Sequence, residues 1–334
     1  MTDLSGVRLS VLDTVPVWRG SSATQSLRNS TDLARRVERL GYTRYWVAEH
    51  HNTPCLATSV PPVLIAQIAS ATSTIRVGSG GVLLPNHAPL TVAEQFGTLE
   101  AFHPGRIDLG IGRASGTDPA AAHLLRRGLP SAEEGFPDQL GELLGYLAPG
   151  EPSSDVRAVP RPETRPPVYL LGTSTSSARF AGALGLPYAY AHQINPAGTV
   201  AALQAYRNAF EPSTWLDHPY TIVAPTVIAA DSDERARWLA RGYAVGRLLL
   251  RTEDRFTLFP TAEEAERHSL TPSGERFVRE HLDPQIIGGP GTVRDRLTEL
   301  VEHSGADELM ALTMVSDHEA RVRSYELLAE LARA

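Results

Sequence analysis

Apolar positions along this chain switch repeatedly between short continuous or alternating runs and three-and-four spacing, and that switching predicts strands followed by helices. Arg8 to Val15 reads as a strand. Thr31 to Leu40 has helical spacing through Leu33, Val37 and Leu40 and stops at Gly41, a residue suited to end a helix. A second strand is expected over Arg44 to His50. Val60 to Ser73 follows as a helix apolar on nearly all sides with two prolines in its first turn, hence one that packs against something beyond the barrel. The pattern continues with strand Arg76 to Pro85, helix Pro89 to Phe102, strand Arg106 to Gly112 and helix Phe136 to Leu147. After a proline-rich loop from Pro149 to Pro167 come strand Val168 to Leu171, helix Ser174 to Leu184, strand Pro187 to Ala191 and helix Pro196 to Phe210. Strand Thr221 to Ala230, strand Asp307 to Thr313 and helix His318 to Ala332 complete the series. Eight strands in 334 residues predict an α/β fold, a closed (β/α)8 TIM barrel forming one domain over 1–334. The segment of about 251–287 breaks the repeat. It is charged, carries Pro260, Pro272 and Pro284, and is expected to be an irregular lid or insertion between strands 7 and 8.

Composition narrows the chemistry. All 31 basic residues are arginine, so Schiff-base aldolases, pyridoxal-phosphate enzymes and lysine-dependent phosphate loops are excluded. The net charge of -7 and the interleaving of arginines with acids leave no basic stripe for nucleic acid. The one cysteine, Cys55, can form neither an internal disulfide nor a thiolate cage. No apolar run reaches the roughly 18 residues of a membrane span, and the N-terminus lacks a basic, then apolar, leader, so a cytoplasmic protein is expected.

In a barrel the reactive positions are the carboxyl ends of the strands. Strand 2 ends in Glu49-His50-His51, where alternation sends His50 to one face and its two neighbours to the other. No metal is expected there. His50 reads either as hydrogen-bonded in the wall or as a base at the barrel mouth. Gly78, Gly80 and Gly81 within strand 3 mark the close approach of a flat ligand or of another backbone, and a ligand ring is favoured. Arg113 ends strand 4 and suits either a salt bridge or a bidentate phosphate clamp, with Gly112 clearing space. Hydroxyls at Thr173, Ser174, Thr175, Ser176 and Ser177 open the next helix. Ser174 is a good N-cap, and the group with Arg113 makes an anion site for a phosphomonoester. His192, at the end of strand 6, is a further pocket candidate by position.

Four stretches carry a resemblance: Tyr45 to Asn52 (YWVAEHHN), Gly78 to His87 (GSGGVLLPNH), Glu94 to Leu99 (EQFGTL) and Pro104 to Arg113 (PGRIDLGIGR). In this order the chain resembles the bacterial-luciferase-like flavin-dependent monooxygenases, and within them the stand-alone single-chain subgroup whose first strand is of the Ser-Val-Leu-Asp type. The resemblance implies FMN with its ring near strand 3, Gly80, Gly81 and Gly112 beside it, and its phosphate on Arg113, Ser174 and Ser177, with Thr173 adjoining. It implies a non-prolyl cis peptide at Gly80-Gly81 and an active-site role for His50. Gly112 stands where the light-emitting subunit has a cysteine, which lowers the case for light emission. The implied reaction is two-component. Reduced FMN from a separate flavin reductase meets O2, forms a C4a-hydroperoxyflavin and oxygenates a small organic substrate, as in natural-product pathways. The loops Thr14 to Ser22 and Asn52 to Val60 and the 251–287 segment, mixed apolar and polar without a charged cluster, favour a largely neutral one. Rival readings are an F420-dependent oxidoreductase of the same superfamily and a non-catalytic flavin carrier. Relatives are commonly homodimers, and Val60 to Ser73 with Pro89 to Phe102 would supply the interface.

Overall fold

The computed structural model describes residues 4, 6–114, 116–125, 135–150 and 155–333, so most of Met1 to Gly6 and part of the 149–167 loop lie outside it. Chain order begins β1 (Arg8–Asp13), α1 (Ala23–Arg39), β2 (Arg44–Val47), α2 (Pro61–Ala71), β3 (Arg76–Ser79), β4 (Val82–Leu83), α3 (Pro89–Phe102) and β5 (Ile107–Gly112). It continues through α4 (Pro119–Leu125), α5 (Phe136–Leu147), β6 (Val168–Gly172), α6 (Thr175–Ala183), β7 (Tyr188–Tyr190), α7 (Thr199–Ala209) and β8 (Thr221–Val223). The last part holds β9 (Val227–Ala229), α8 (Asp233–Thr252), α9 (Ala262–Arg267), α10 (Pro272–Leu282), β10 (Ile286–Gly288), α11 (Pro290–Ser304), β11 (Glu308–Leu312) and α12 (His318–Leu331). The main sheet runs β3-β2-β1-β11-β8-β7-β6-β5-β4, and β3 also pairs with β5, so the parallel sheet closes into a barrel of eight staves. No helix among the described residues is long and apolar enough to cross a membrane.

Several expected boundaries move, each for a physical reason. The first helix starts at Ala23, eight residues before its apolar stripe, because Ser22 caps it by accepting from the Gln25 N–H. Its early inward positions are serines. Ser26 donates to the Pro16 carbonyl and Ser30 shares a hydrogen bond with Tyr45, so burial there leaves no apolar trace. The strand expected at 76–85 is broken into β3 and β4 by a cis bond between Gly80 and Gly81. The strand expected at 221–230 stops at Val223, and β9 leaves the barrel to pair with β10. Pro225, which has no N–H to give a ladder, lies between the two pieces.

The 251–287 segment is not irregular. Thr261 and Glu264 form a reciprocal capping box that starts α9, and Thr271 caps α10 with Pro272 at its first position. Of the three prolines, Pro272 opens α10, Pro260 precedes the cap of α9 and Pro284 follows the end of α10. Helices α8 and α11 were also not expected, since charged residues are interspersed among the apolar positions of both.

Two packing layers surround the staves. One lies between sheet and helices; the other, inside the barrel, includes Leu12, Trp46, Tyr169, Met310 and Leu312. The interior layer is closed by ions. Arg44, at the first position of β2, lies 2.8 Å from both Asp108 and Glu308, and Arg76 lies 2.6 Å from Asp108. This leaves the carboxyl ends of the strands as the open end of the barrel.

Candidate active site

A cavity of about 1080 Å³ opens at that end, at the upper limit of the roughly 300–1,000 Å³ common for small-molecule sites. Its base is apolar, with Leu12, Trp46, Met310 and Leu312. Residues just beyond the strands make its walls: Glu49 and His50 after β2, Gly80 and Gly81 between β3 and β4, Gly112 and Arg113 at β5, and Thr173 and Ser174 at β6.

His50 is anchored through its backbone N–H to the Thr58 carbonyl at 2.8 Å, while its ring Nδ1 is buried without a partner among the described residues. Burial holds the imidazole down to about 4, with the charges of His51 and Arg247 adding to the effect, so it is neutral at ordinary pH and able to accept a proton. Beyond the end of β2 at Val47, Glu49 and His51 pair with each other and not with His50. Their third partner is His87, which the sequence reading did not single out. His51 and His87 each place Nε2 2.8 Å from one oxygen of Glu49, and the other oxygen accepts the Leu83 N–H at 3.0 Å. These contacts keep the buried Glu49 carboxyl below its usual range although burial alone would raise it. The three ligand-type atoms lie within 4.8 Å of one another, a spacing a divalent cation could bridge, and hydrogen bonding also accounts for it. Glu49 thus ties the loop after β2 to β4 and fixes the backbone that carries His50.

The glycines of strand 3 answer chiefly to backbone. A Cβ on Gly81 would come 2.7 Å from the Gly110 carbonyl oxygen, and one on Gly110 would come 2.1 Å from the Ser79 carbonyl oxygen. Close approach of β5 is therefore sufficient reason for both. Gly112 differs, since its added Cβ would meet only Leu83 within 3.9 Å, and its small size keeps the wall beside Arg113 low.

On the neighbouring stave, beyond β6, α6 begins with a full capping box. The Ser177 N–H donates to Ser174 Oγ at 3.2 Å, and Ser177 Oγ lies 2.9 Å from the Tyr188 hydroxyl. Thr173, Ser174 and Ser177 line the cavity, whereas Thr175 and Ser176 are exposed outside it, so only part of the hydroxyl run is available to a bound anion. Arg113 lines the same region, is exposed and has no ion pair among the described residues. A guanidinium and a helix N-terminus facing one space suit a phosphate. Four of the buried polar atoms without a partner among the described residues belong to cavity residues: His50, Gln193, His281 and Gln285.

His192 does not belong with them. Its ring Nδ1 lies 2.8 Å from Thr199 Oγ1, the residue is buried against the start of α7, and the cavity wall there is made by Ala191, Gln193 and Ile194. The pocket position expected for His192 passes to Gln193. Cys55 is buried, off the cavity wall, and burial pushes its thiol up to about 11. The remaining wall comes from helices the sequence reading did not resolve: Tyr243 and Arg247 on α8, Glu280 and His281 on α10, and Gln285 before β10.

With this geometry, comparison with known proteins is informative. The sequence profile of the luciferase-like monooxygenases matches residues 7–308. A luciferase-like monooxygenase of Escherichia coli K12 is 40% identical, with 99% of this chain and 98% of that protein covered. The N-acetyl-S-alkylcysteine monooxygenase of Bacillus subtilis is 32% identical, over 98% of this chain and 99% of that protein. The crystal structure of apo-MsnO8 superposes with a TM-score of 0.91 at 40% identity, covering 99% and 98% of the two chains. Barrels at 19% and 14% identity share the fold: the oxygenating constituent of 3,6-diketocamphane monooxygenase in complex with FMN (TM-score 0.71; 98% of each chain) and an F420-dependent secondary alcohol dehydrogenase (0.68; 98% and 99%). The chain belongs to the luciferase-like monooxygenase family.

Proposed function

We propose that this chain is an oxygenase that takes up reduced FMN from a separate flavin reductase and uses O2 to oxygenate a small organic substrate. The observation that carries the reading is the pairing, in one cavity, of an anion-binding wall with a neutral buried base. Arg113 and the α6 N-terminus form the first; His50 is the second. The named activity of the Bacillus subtilis relative and the FMN held by the diketocamphane oxygenase support it.

Reduced FMN, when bound, supplies the electrons that activate O2. The protein's residues do the rest. Arg113, Ser174 and Ser177 take the phosphate, and Thr173 adjoins them. Gly80, Gly81 and Gly112 leave a wall low enough for a flat ring. His50 Nδ1, without a partner among the described residues, exchanges a proton with the reacting groups. Leu12, Trp46, Phe259 and Met314 exclude water, and the segment containing α9 and α10 acts as the lid over the mouth. Val60, Val63 and Phe102, exposed at 55%, 68% and 76%, form the apolar face on which two copies pair.

The test is equilibrium titration with FMN, riboflavin and F420. FMN is expected to bind best, and Arg113→Ala to weaken FMN by about 10- to 100-fold while leaving riboflavin nearly unchanged, as loss of a charged hydrogen bond predicts. Equal affinity for FMN and riboflavin, or tighter binding of F420, overturns the cofactor assignment. With a reductase added, His50→Ala is expected to lower oxygenated product per flavin oxidised by about 100-fold, and unchanged coupling removes His50 from the reaction.

A further inference from the structure

The cavity has more charge than a flavin phosphate uses. Four charged side chains line it: Glu49, Arg113, Arg247 and Glu280. Both Glu49 oxygens are engaged by His51, His87 and Leu83, and Arg113 belongs to the anion wall. Arg247 remains, on the far side, where the loop sequences had suggested a neutral substrate. It has no ion pair among the described residues, and it sits one helical turn after Tyr243 on the same face of α8. Tyr243 packs against His281 with ring centroids 5.3 Å apart, and His281 Nε2 is buried without a partner. The charge of Arg247 reaches His50, Tyr243 and His281, and the Arg247 side chain, like that of Glu280, is exposed at the rim of the cavity. A guanidinium one helical turn from a phenol that packs on an unpartnered imidazole, all three lining one mostly apolar cavity, is an arrangement for one organic anion.

We propose that Arg247, with Tyr243 and His281 beside it, binds the carboxylate of the substrate, and that the substrate is an organic acid whose apolar part lies over Leu56, Phe259 and Met314. The assignment rests on the reading that FMN occupies the Arg113 end, since only then is Arg247 left for the substrate. Arg247 is thereby a specificity-determining residue, fixing which end of the molecule meets His50.

The experiment uses calorimetric titration of the whole protein, with and without FMN, by ω-phenylalkanoates of increasing chain length and by their primary amides. At least one acid is expected to bind about tenfold or more tightly than its amide, the lower range for a hydrogen bond to a charged group. Arg247→Gln is expected to abolish that preference and Arg247→Lys to retain part of it, with FMN affinity and melting temperature unchanged. Equal binding of acid and amide, no acid binding at millimolar concentration, or a preference that survives Arg247→Gln overturns the proposal. Failure of FMN to bind, with the acid preference intact, defeats the flavin reading alone.

Discussion

Arg44 sits in the barrel interior almost out of reach of solvent, and it stays charged because Asp108 and Glu308 lie 2.8 Å from it on two sides. Tyr169 and Asp108 share its Nη1 donor, its Nε donates to Glu308, and Trp46 donates to the same Asp108 oxygen at 2.9 Å, so the ions are also hydrogen-bonded. Removing one partner from such a set leaves uncompensated buried charge. Arg44→Met is expected to destabilise the fold by about 3–5 kcal/mol, read as a lower midpoint in urea unfolding. A change below about 1 kcal/mol would mean that Arg76 and water compensate for it. Nothing in the sequence marked Arg44, because its burial exists only once residues 44, 108 and 308 meet on closure. His50 was legible for the opposite reason: its position at a strand's end is local information. Its neutrality was not, since that comes from burial, with smaller contributions from His51 and Arg247. A base held near 4 is active in its neutral form at any pH well above that, so rates controlled by His50 are expected to rise with pH through about 4. They should then stay level through neutrality, and a limb near 6.5 that vanishes in His50→Ala would contradict this placement.

Elements were legible wherever hydrophobic period alone defines them. Strands β1, β2, β5, β6 and β11 lie within two or three residues of their expected bounds because continuous apolar runs have few other uses. Elements whose ends depend on caps were harder: Thr261, Thr271 and Ser232 start helices that composition made look irregular. Helix α6 shows how one cap serves two purposes. Ser174 satisfies a backbone N–H in the free protein and keeps the helix N-terminus directed at the cavity, and a Cβ on Gly172 would meet Ser177 Oγ at 2.1 Å, so the small residue makes room for the box. Ser174→Ala is expected to cost about 1 kcal/mol of stability, whereas Ser176→Ala, exposed and outside the box, is expected to cost only a few tenths. Thermal melts of the two variants compare them directly. Equal losses would show that the run of hydroxyls, and not the cap, holds this end of α6.

At the scale of the whole molecule, the titrating groups set a stability window, and the absence of lysine simplifies it. His50, His192 and His281 are each held near 4 by burial against an ordinary 6.5. Between those values the unfolded chain takes up protons that the folded protein refuses, so stability falls as pH drops from about 6.5 to about 4. Below that range Asp13 takes over. Arg321, 2.7 Å away, holds its carboxyl below the ordinary 3.8 although burial opposes it, so stability present above 3.8 is lost as pH falls through the folded value. On the alkaline side no lysine titrates, and arginine stays charged. Cys55, raised by burial from 9 to about 11, and the buried tyrosines decide instead. Tyr188 and Tyr206 are raised by burial from 10 to about 12, so their contribution is complete below 10 and is lost as pH rises through about 12. Urea unfolding across this range is therefore expected to give a plateau from about 6.5 to 9, with a decline of several kcal/mol on the acid side already under way at pH 5. Replacing His192, which lies outside the cavity, by Asn should flatten part of that acid slope without touching flavin binding. A stability maximum at pH 5, or an acid slope unchanged in His192→Asn, would show that these imidazoles are charged in the folded protein and would withdraw the neutral state on which the role of His50 depends.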